Sequence, residues 1–108
     1  MKVFKLHTMK GGWFIGDFTP SSFKTQDFEV CYKQHYKGEK WDTHYHKIGT
    51  EINLLIEGKM TIQGRELTNG DIFILEPYEI ADPTFLEDCR LIIVKTPSIP
   101  GDKFNVNG

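Results

Sequence analysis

Apolar and polar residues along this chain follow the short repeat of β-strands rather than the longer repeat of helices. No segment keeps apolar residues at positions i, i+3, i+4 and i+7 over three turns, which is the pattern of an amphipathic helix. Glycine, proline and Asn-Gly pairs recur roughly every eight to twelve residues, a spacing typical of β-sandwiches and β-barrels. The sequence therefore predicts an all-β domain with strands at residues 3–7, 13–18, 28–36, 43–47, 51–57, 59–63, 71–75 and 89–95.

Tight turns are predicted where glycine follows a polar residue between two of these strands. The pairs Glu57-Gly58, Gln63-Gly64 and Asn69-Gly70 are such positions, because glycine and asparagine tolerate the positive φ that hairpin turns require.

Three of the predicted strands are apolar at nearly every position. Residues 52–56, 72–75 and 91–94 read I-N-L-L-I, I-F-I-L and L-I-I-V, whereas a strand with one face in water alternates apolar and polar side chains. These strands should therefore be covered on both faces. One cover is the interior of the domain. The other is either the aromatic N-terminal segment at 13–23 or a partner subunit, and a homodimer is the simpler expectation for 108 residues.

Composition narrows the class of protein. A hydrophobic fraction of 39% and a charged fraction of 26% are those of a soluble globular domain. The net charge of −2 and the scattered basic residues argue against nucleic-acid binding. Apolar runs of about four residues are too short to span a membrane, and the N-terminus lacks a signal peptide's apolar stretch, so a cytoplasmic location is expected. Cys31 and Cys89 lack a CxxC spacing, which favours packed, reduced thiols over a disulfide.

The segment with the clearest chemical meaning contains two histidines and a glutamate. His44 and His46 are two residues apart, so on a strand they point to the same face, and Glu51 follows five residues later. Two imidazoles and a carboxylate are a common ligand set for a divalent metal ion. On that face Asp42 would accompany the histidines, and Trp41 would point away.

The parity of the following strand leaves two arrangements open. If Glu51 points inward, then Ile52, Leu54 and Ile56 lie on the outer face, which requires that face to be buried by a partner. Alternatively, the three apolar residues form the core and the glutamate lies in solvent. Parity alone does not choose between these arrangements.

Residues 38–58 resemble the first sequence motif of the cupin superfamily. The chain reads G-x5-H-x-H-x4-E-x6-G from Gly38 to Gly58, which agrees with that motif at every defined position. The resemblance implies a small single-domain cupin (cupin type-2, conserved barrel) over residues 1–108, with an all-β double-stranded β-helix, or jelly roll, as its fold. It also implies that His44, His46 and Glu51 are metal ligands inside the barrel.

Residues 70–86 resemble the second cupin motif less well. Pro77 follows Gly70 after six residues rather than five, and Glu79, Asp82 and Leu86 replace the expected glycine, histidine and asparagine. Asp82 could supply a fourth, oxygen ligand, or the Asp-Pro pair could simply form a turn. With two nitrogens and two carboxylates the site would suit iron or manganese, while zinc and nickel stay open.

Weaker candidates lie on the strand predicted at 28–36. Tyr32, Gln34 and Tyr36 share one parity and could face the barrel, where they would orient a ligand or an imidazole. His35 is expected to be a satisfied or exposed side chain. The last residues, 97–108, are expected to form a loosely held tail.

The resemblance and the ligand set together favour a metal-dependent enzyme acting on a small polar molecule, a carbohydrate or a keto acid, in an isomerase or dioxygenase type of reaction. Two alternatives stay open. The protein could bind a metal or small molecule without catalysis, or it could be a metal-free sugar isomerase or epimerase that uses His44 or His46 as acid and base. No nucleic-acid or membrane partner is expected.

Overall fold

The computed structural model describes residues 1–106 and confirms an almost purely β architecture. Its strands are β1 (Trp13–Ile15), β2 (Glu29–His35), β3 (His44–Tyr45), β4 (Thr50–Glu57), β5 (Lys59–Ile62), β6 (Arg65–Thr68), β7 (Ile72–Leu75), β8 (Thr84–Phe85), β9 (Cys89–Thr96) and β10 (Phe104–Asn105). The helical structure within this range is one 3-10 turn, Leu6–Thr8. No helix in the described range is long and apolar enough to cross a membrane.

The strands form three sheets whose order interleaves distant parts of the chain. A five-stranded sheet has the order β1-β2-β9-β4-β7, a three-stranded sheet the order β6-β5-β8, and β10 pairs with β3. All pairings between these strands are antiparallel. Because β9 inserts between β2 and β4, the chain rolls up into the jelly roll that the sequence predicted.

Differences from the predicted strands occur where the apolar pattern was weak or misleading. Residues 3–7 do not form a strand; the first eight residues are all exposed, so their apolar side chains have no sheet to pack against. The predicted strand at 43–47 shortens to β3, two residues long. β6 was missed because its sequence, R-E-L-T, offers one buried apolar residue, Leu67. β8 and β10 are only two residues long.

The predicted turns are confirmed, and Gly58 shows why a glycine is required. Its φ is 120°, and a Cβ there would lie 2.5 Å from the Asp88 carbonyl oxygen and 2.7 Å from the Cys89 sulfur. The turn between β4 and β5 can therefore pack against the start of β9 only without a side chain. Between β5 and β6, Gln63 and Gly64 both have positive φ, 50° and 73°, as a tight hairpin demands.

The hydrophobic core fills one end of the barrel. It comprises Leu55, Met60, Ile62, Leu67, Leu75, Ala81, Phe85, Cys89 and Leu91. Both cysteines are free and fully buried, which confirms packed thiols, and burial raises the pKa of Cys31 to about 12. Since this end is closed by packed side chains, open space lies toward the other end.

The outer face of the five-stranded sheet is an apolar surface. Two rows of directly opposed residues cross it, and we call their eight members the outer-face patch: Val30, Val94, Ile52 and Ile74 in one row, and Tyr32, Ile92, Leu54 and Ile72 in the other. Leu54, Ile72 and Ile74 are 37%, 66% and 51% exposed. The aromatic N-terminal segment does not form a layer over this patch, because β1 extends the edge of the sheet instead and Trp13 and Phe18 line the interior.

The C-terminal segment is held in the fold, which corrects the expectation of a loose tail. β10 pairs with β3, and Ser98 and Asp102 are each only 4% exposed. Residues 107 and 108, which belong to the same prediction, lie outside the part of the chain that the structure describes.

Candidate functional site

A cavity of about 340 Å³ lies between the sheets at the open end of the barrel. It is of the size that protein pockets use for small ligands. Its wall includes His44, His46 and Glu51, together with Asn53, His35 and Trp41. The three residues of the first motif therefore face one common space.

His44 enters the cavity from β3, which is fixed by two backbone hydrogen bonds with Ala81, of 3.1 and 2.8 Å. Its Nδ1 lies 2.9 Å from the Asp42 carbonyl oxygen. Because a carbonyl only accepts hydrogen bonds, Nδ1 donates and carries the proton, which leaves the lone pair on Nε2. The neighbouring polar group thus sets the tautomer that metal binding or base catalysis requires.

His46 is held in the same way from the far end of the chain. Its Nδ1 donates to the carbonyl oxygen of Asp102, so its lone pair is also on Nε2. That Nε2 atom is buried and has no hydrogen-bond partner within residues 1–106. A buried polar atom without a partner is costly, and the natural partner for an imidazole lone pair is a metal ion or a donor group of a ligand.

Asp102 is the residue that organises this side of the cavity, and the sequence did not single it out. Its carboxylate accepts hydrogen bonds from the backbone N–H groups of Lys47, Ile48 and Gly49, at 2.9, 3.2 and 2.8 Å. Burial opposes ionisation, but these donors outweigh it and lower the pKa of the Asp102 carboxyl group. Asp102 therefore fixes both the loop after the histidines and the ring of His46.

Glu51 points into the cavity from β4, which settles the parity that the sequence left open. Its side chain is 12% exposed, and its Oε1 lies 3.9 Å from Nε2 of His46. In the sheet Lys95 is directly opposite Glu51 on one side and Glu29 on the other, and the Lys95 Nζ lies 3.3 Å from Glu29. Lys95 is therefore engaged mainly by Glu29.

Burial dominates the protonation of the three motif residues. It raises the pKa of Glu51, with His44 and Asn53 offsetting only part of the effect. Burial also lowers the pKa of His44 and of His46, against the opposing effect of their backbone acceptors, and the Lys103 ammonium group adds to the lowering. Both imidazoles are thus kept neutral, the state in which they bind metal ions.

The donor set fits a metal ion in kind and nearly in spacing. The His44 and His46 ring centroids are 5.3 Å apart, close to the about 5 Å expected for two imidazoles on one tetrahedral ion. Two ligand atoms on such an ion lie about 3.4 Å apart, so the His46–Glu51 gap is about half an ångström too wide. Accordingly, residues 1–106 contain no group of three His, Cys, Asp or Glu side chains already close enough to hold one ion.

Asp82, the predicted fourth ligand, is not brought to this cluster. It is exposed, and its Oδ1 accepts a 2.7 Å hydrogen bond from the backbone N–H of Gln63. Its neighbours Ala81 and Pro83 line the cavity instead. This placement matches the alternative reading, in which the Asp-Pro pair forms a turn.

The expected side-chain directions around the site need three further corrections. Asp42 is exposed and contributes only its backbone carbonyl, while Trp41 lines the cavity, because the chain before β3 is irregular and strand alternation does not apply. On β2, Tyr32 lies on the outer face, and the inward residues include Lys33 and His35.

His35 forms a second polar centre in the cavity. Its ring stacks on Phe85 at 4.1 Å and 15° and meets Trp41 edge-on at 5.1 Å. Its Nδ1 donates to the Glu39 carboxylate, whose pKa this contact lowers. The expectation that His35 is satisfied holds at Nδ1, but the residue is a buried part of the cavity wall.

Comparison with solved structures identifies proteins that share this fold. No protein-family model and no curated protein matches the sequence. Among solved structures, the chain is similar to a protein with a double-stranded β-helix domain from Klebsiella pneumoniae, with a TM-score of 0.71 and 19% identity over 99% of this chain and 93% of that chain. It is also similar to a cupin-2 domain protein from Shewanella frigidimarina, with a TM-score of 0.55 and 16% identity over 67% of this chain and 72% of that chain.

The fold is that of a small cupin. A further structure of similar fold is the DMSP lyase DddQ from Ruegeria pomeroyi, with a TM-score of 0.67 and 14% identity over 87% of this chain and 49% of that chain. At such identities the likeness shows a shared cupin fold, and the chemistry of this protein must be argued from its own cavity.

Proposed function

We propose that this cupin binds a divalent metal ion through His44, His46 and Glu51 and acts as a metal-dependent enzyme on a small polar molecule in the cavity. The observation that carries the proposal is the buried Nε2 of His46, which has no partner within residues 1–106 and faces a buried carboxylate 3.9 Å away. An ion between these atoms would satisfy both.

When bound, the ion would supply a Lewis acid for a carbonyl or hydroxyl group, or oxygen activation if it is iron. The chain supplies the rest. The carbonyl groups of Asp42 and Asp102 hold both Nε2 lone pairs toward the cavity. Asn53 lies beside the site, and its buried side-chain amide nitrogen has no hydrogen-bond partner among residues 1–106, so it is placed to donate to an oxygen of the bound molecule.

The cavity can hold a ligand beside the proposed metal-ligand set. Core residues such as Phe85 and Leu91 line part of it, and the partly exposed Trp41 and its neighbour His35 line another part. The existence of a lyase with this fold is consistent with catalysis in such a cavity. Isomerase and dioxygenase reactions both suit one metal with an open position.

The metal-free alternative, with His44 or His46 as acid and base, is less well supported. Acid–base chemistry by a histidine does not require a carboxylate oxygen 3.9 Å from the Nε2 of His46, whereas a metal ion bound by both side chains does.

A metal-content measurement tests the proposal. The change is the double variant His44→Ala, His46→Ala, and the matched control is His7→Ala, because His7 is exposed and lies in the 3-10 turn. We expect elemental analysis after equilibration with iron, manganese, zinc or nickel and desalting to give about one ion per chain for the wild type and for His7→Ala, and none for the double variant. Circular dichroism should show that all three proteins are folded.

Equal metal content in the folded double variant would contradict the ligand assignment. A wild-type protein that retains none of the four metals would contradict the metal-dependent function itself.

We also propose that a second copy of the chain covers the outer-face patch. The patch carries no charged residue, and its three most exposed side chains, Leu54, Ile72 and Ile74, lie on the adjacent strands β4 and β7 at the edge of the sheet. A second copy presents the same apolar rows, so sheet-on-sheet packing about a two-fold axis would bury both at once.

A further inference from the structure

We infer that the rim of the cavity recognises an anionic ligand, a small carboxylate that also bears a carbonyl or hydroxyl group, in preference to a neutral carbohydrate. This inference deepens the proposed function and rests on the cavity being the ligand site. It is drawn from the arrangement of lysines around Trp41.

Trp41 marks the opening of the cavity, because it lines the interior and is also 38% exposed. Two lysines lie against its ring: the Nζ atoms of Lys33 and Lys103 are 5.6 and 4.9 Å from its centroid. Such contacts hold an ammonium group against the aromatic face. Both lysines line the cavity, so two positive charges lie at the entrance, and the exposed Lys10 adds a third to the cavity wall.

The carboxylates of the cavity wall contact groups other than these three lysines. Glu29 pairs with Lys95 at 3.3 Å, and the Asp102 carboxylate accepts three backbone N–H groups. Glu51 faces His46, deeper in the barrel.

By contrast, Lys10, Lys33 and Lys103 form no ion pair with a carboxylate within residues 1–106. Glu39, whose pKa Lys33 helps to lower, is bound to His35. The entrance is therefore positive although the whole chain has a net charge of −2, and the positive charge is concentrated where a ligand must pass.

The residues deeper in the cavity would recognise the other end of the ligand. Lys103, His44 and His46 line the same cavity, so one bound molecule can lie between the lysine and the imidazoles. A carboxylate at the rim would accept charge-assisted hydrogen bonds from the lysines. A carbonyl or hydroxyl oxygen at its other end would meet the histidine and glutamate cluster. A neutral sugar of the same size would offer these lysines no opposite charge, and Lys33 would keep only the 2.7 Å hydrogen bond that its Nζ donates to the Gly11 carbonyl oxygen.

The test compares acids with their uncharged amides, which have nearly the same shape. The probes are gluconate with gluconamide and pyruvate with pyruvamide, titrated into the full-length protein by calorimetry in low salt, with and without added zinc. We expect at least one acid to bind about tenfold more tightly than its amide, and its affinity to fall as sodium chloride is raised.

Variants then locate the charge. Lys103→Gln should lower the affinity for that acid by about three- to tenfold, and Lys33→Gln should act in the same direction. The matched control, Lys24→Gln, removes an exposed lysine that does not line the cavity and should leave affinity unchanged.

Each outcome decides between the two proposals. Amides that bind as tightly as their acids, equal loss of affinity in Lys24→Gln and Lys103→Gln, or no binding of either acid with or without zinc would overturn the inference, even if the His44 and His46 variants lose metal as expected. Acid-selective binding that depends on Lys103, in a protein that retains no metal, would support the inference and overturn the proposed metal function.

Discussion

Two neighbouring rows of the five-stranded sheet show how differently its faces are built. On the inner face, β2, β9 and β4 place Glu29, Lys95 and Glu51 directly opposite one another; on the outer face, the next row on the same strands is Val30, Val94 and Ile52. In the charged row Glu29 and Lys95 are buried and the Glu51 side chain is only 12% exposed, whereas the apolar row is partly exposed. The usual arrangement of a sheet, with apolar residues inside, is therefore reversed over this part of the molecule.

The residues that stabilise the fold and the residues that form the candidate site lie at different ends of the barrel. At the closed end, residues such as Leu55, Met60 and Phe85 form an ordinary apolar core, which stabilises the fold. At the open end burial disfavours the charged form of Glu51, which opposes folding at neutral pH, and the charged forms of His44 and His46, which oppose folding only below about pH 6.5. The outer-face patch leaves apolar area in solvent, which a partner would remove. The comparison leads to three predictions.

The largest effect is expected from removing the anchor of the polar end. Asp102→Ala leaves the N–H groups of Lys47, Ile48 and Gly49 without their acceptor, and should lower the free energy of unfolding by about 3 kcal/mol. Asp102→Asn keeps one acceptor oxygen and should lose less. The control is Asp27→Ala, which changes an exposed aspartate. Urea unfolding measures all three, and equal stability of Asp102→Ala and Asp27→Ala would show that the polar end does not depend on this anchor.

A somewhat smaller effect is expected from placing a charge on the outer face. Leu54→Lys should raise the dissociation constant of the dimer by about 100-fold, because a lysine in a sheet-on-sheet contact must be desolvated. Leu86→Lys is the matched control: both leucines are 37% exposed, but Leu86 lies outside the outer-face patch.

Sedimentation equilibrium measures the association. A wild-type chain that is monomeric at high micromolar concentration, or a Leu54→Lys variant that associates as tightly as Leu86→Lys, would argue that the patch is not an interface between copies.

The smallest effect on stability is expected from removing the carboxylate of Glu51 on the inner face. The pKa of Glu51 is raised above its ordinary value of 4.5 by burial. The native state therefore holds its proton more tightly than the unfolded chain does, and the wild-type protein loses stability as pH rises above 4.5 toward the native pKa. Glu51→Gln lacks this loss, so without metal it should be more stable than the wild type by about 1 kcal/mol at pH 7 and equal to it below pH 4.5.

Glu87→Gln, which changes a carboxylate at an exposed position, is the matched control. Added metal should reverse the order, because it stabilises only a chain that binds it. A Glu51→Gln variant that is less stable than the wild type at pH 7 without metal would mean that the carboxylate is already paired in the native protein.

Local patterns predicted the parts of the site that depend on local geometry. His44 and His46 share a face because they are two residues apart, and the glycines at the ends of the first motif fall where φ is positive, at 77° for Gly38 and 120° for Gly58. Asp82 and Trp41 were misplaced because both lie in irregular connections, where alternation carries no information.

Other parts depend on contacts that no local pattern records. Asp102 meets the loop at 47–49 across 53 to 55 residues of chain. His35 becomes part of the cavity wall only because Phe85, 50 residues later, stacks on it. Such contacts are fixed when the sheets close.

The sequence alone determined that this chain is built of strands and turns and that two histidines and a glutamate carry the resemblance to cupins, because periodicity and spacing are properties of neighbouring residues. Only the tertiary structure decided that Glu51 points inward, that Asp102 anchors His46, and that lysines lie at the entrance. The direction of a side chain with two possible faces depends on what packs against each face, and that is settled by residues far away along the chain.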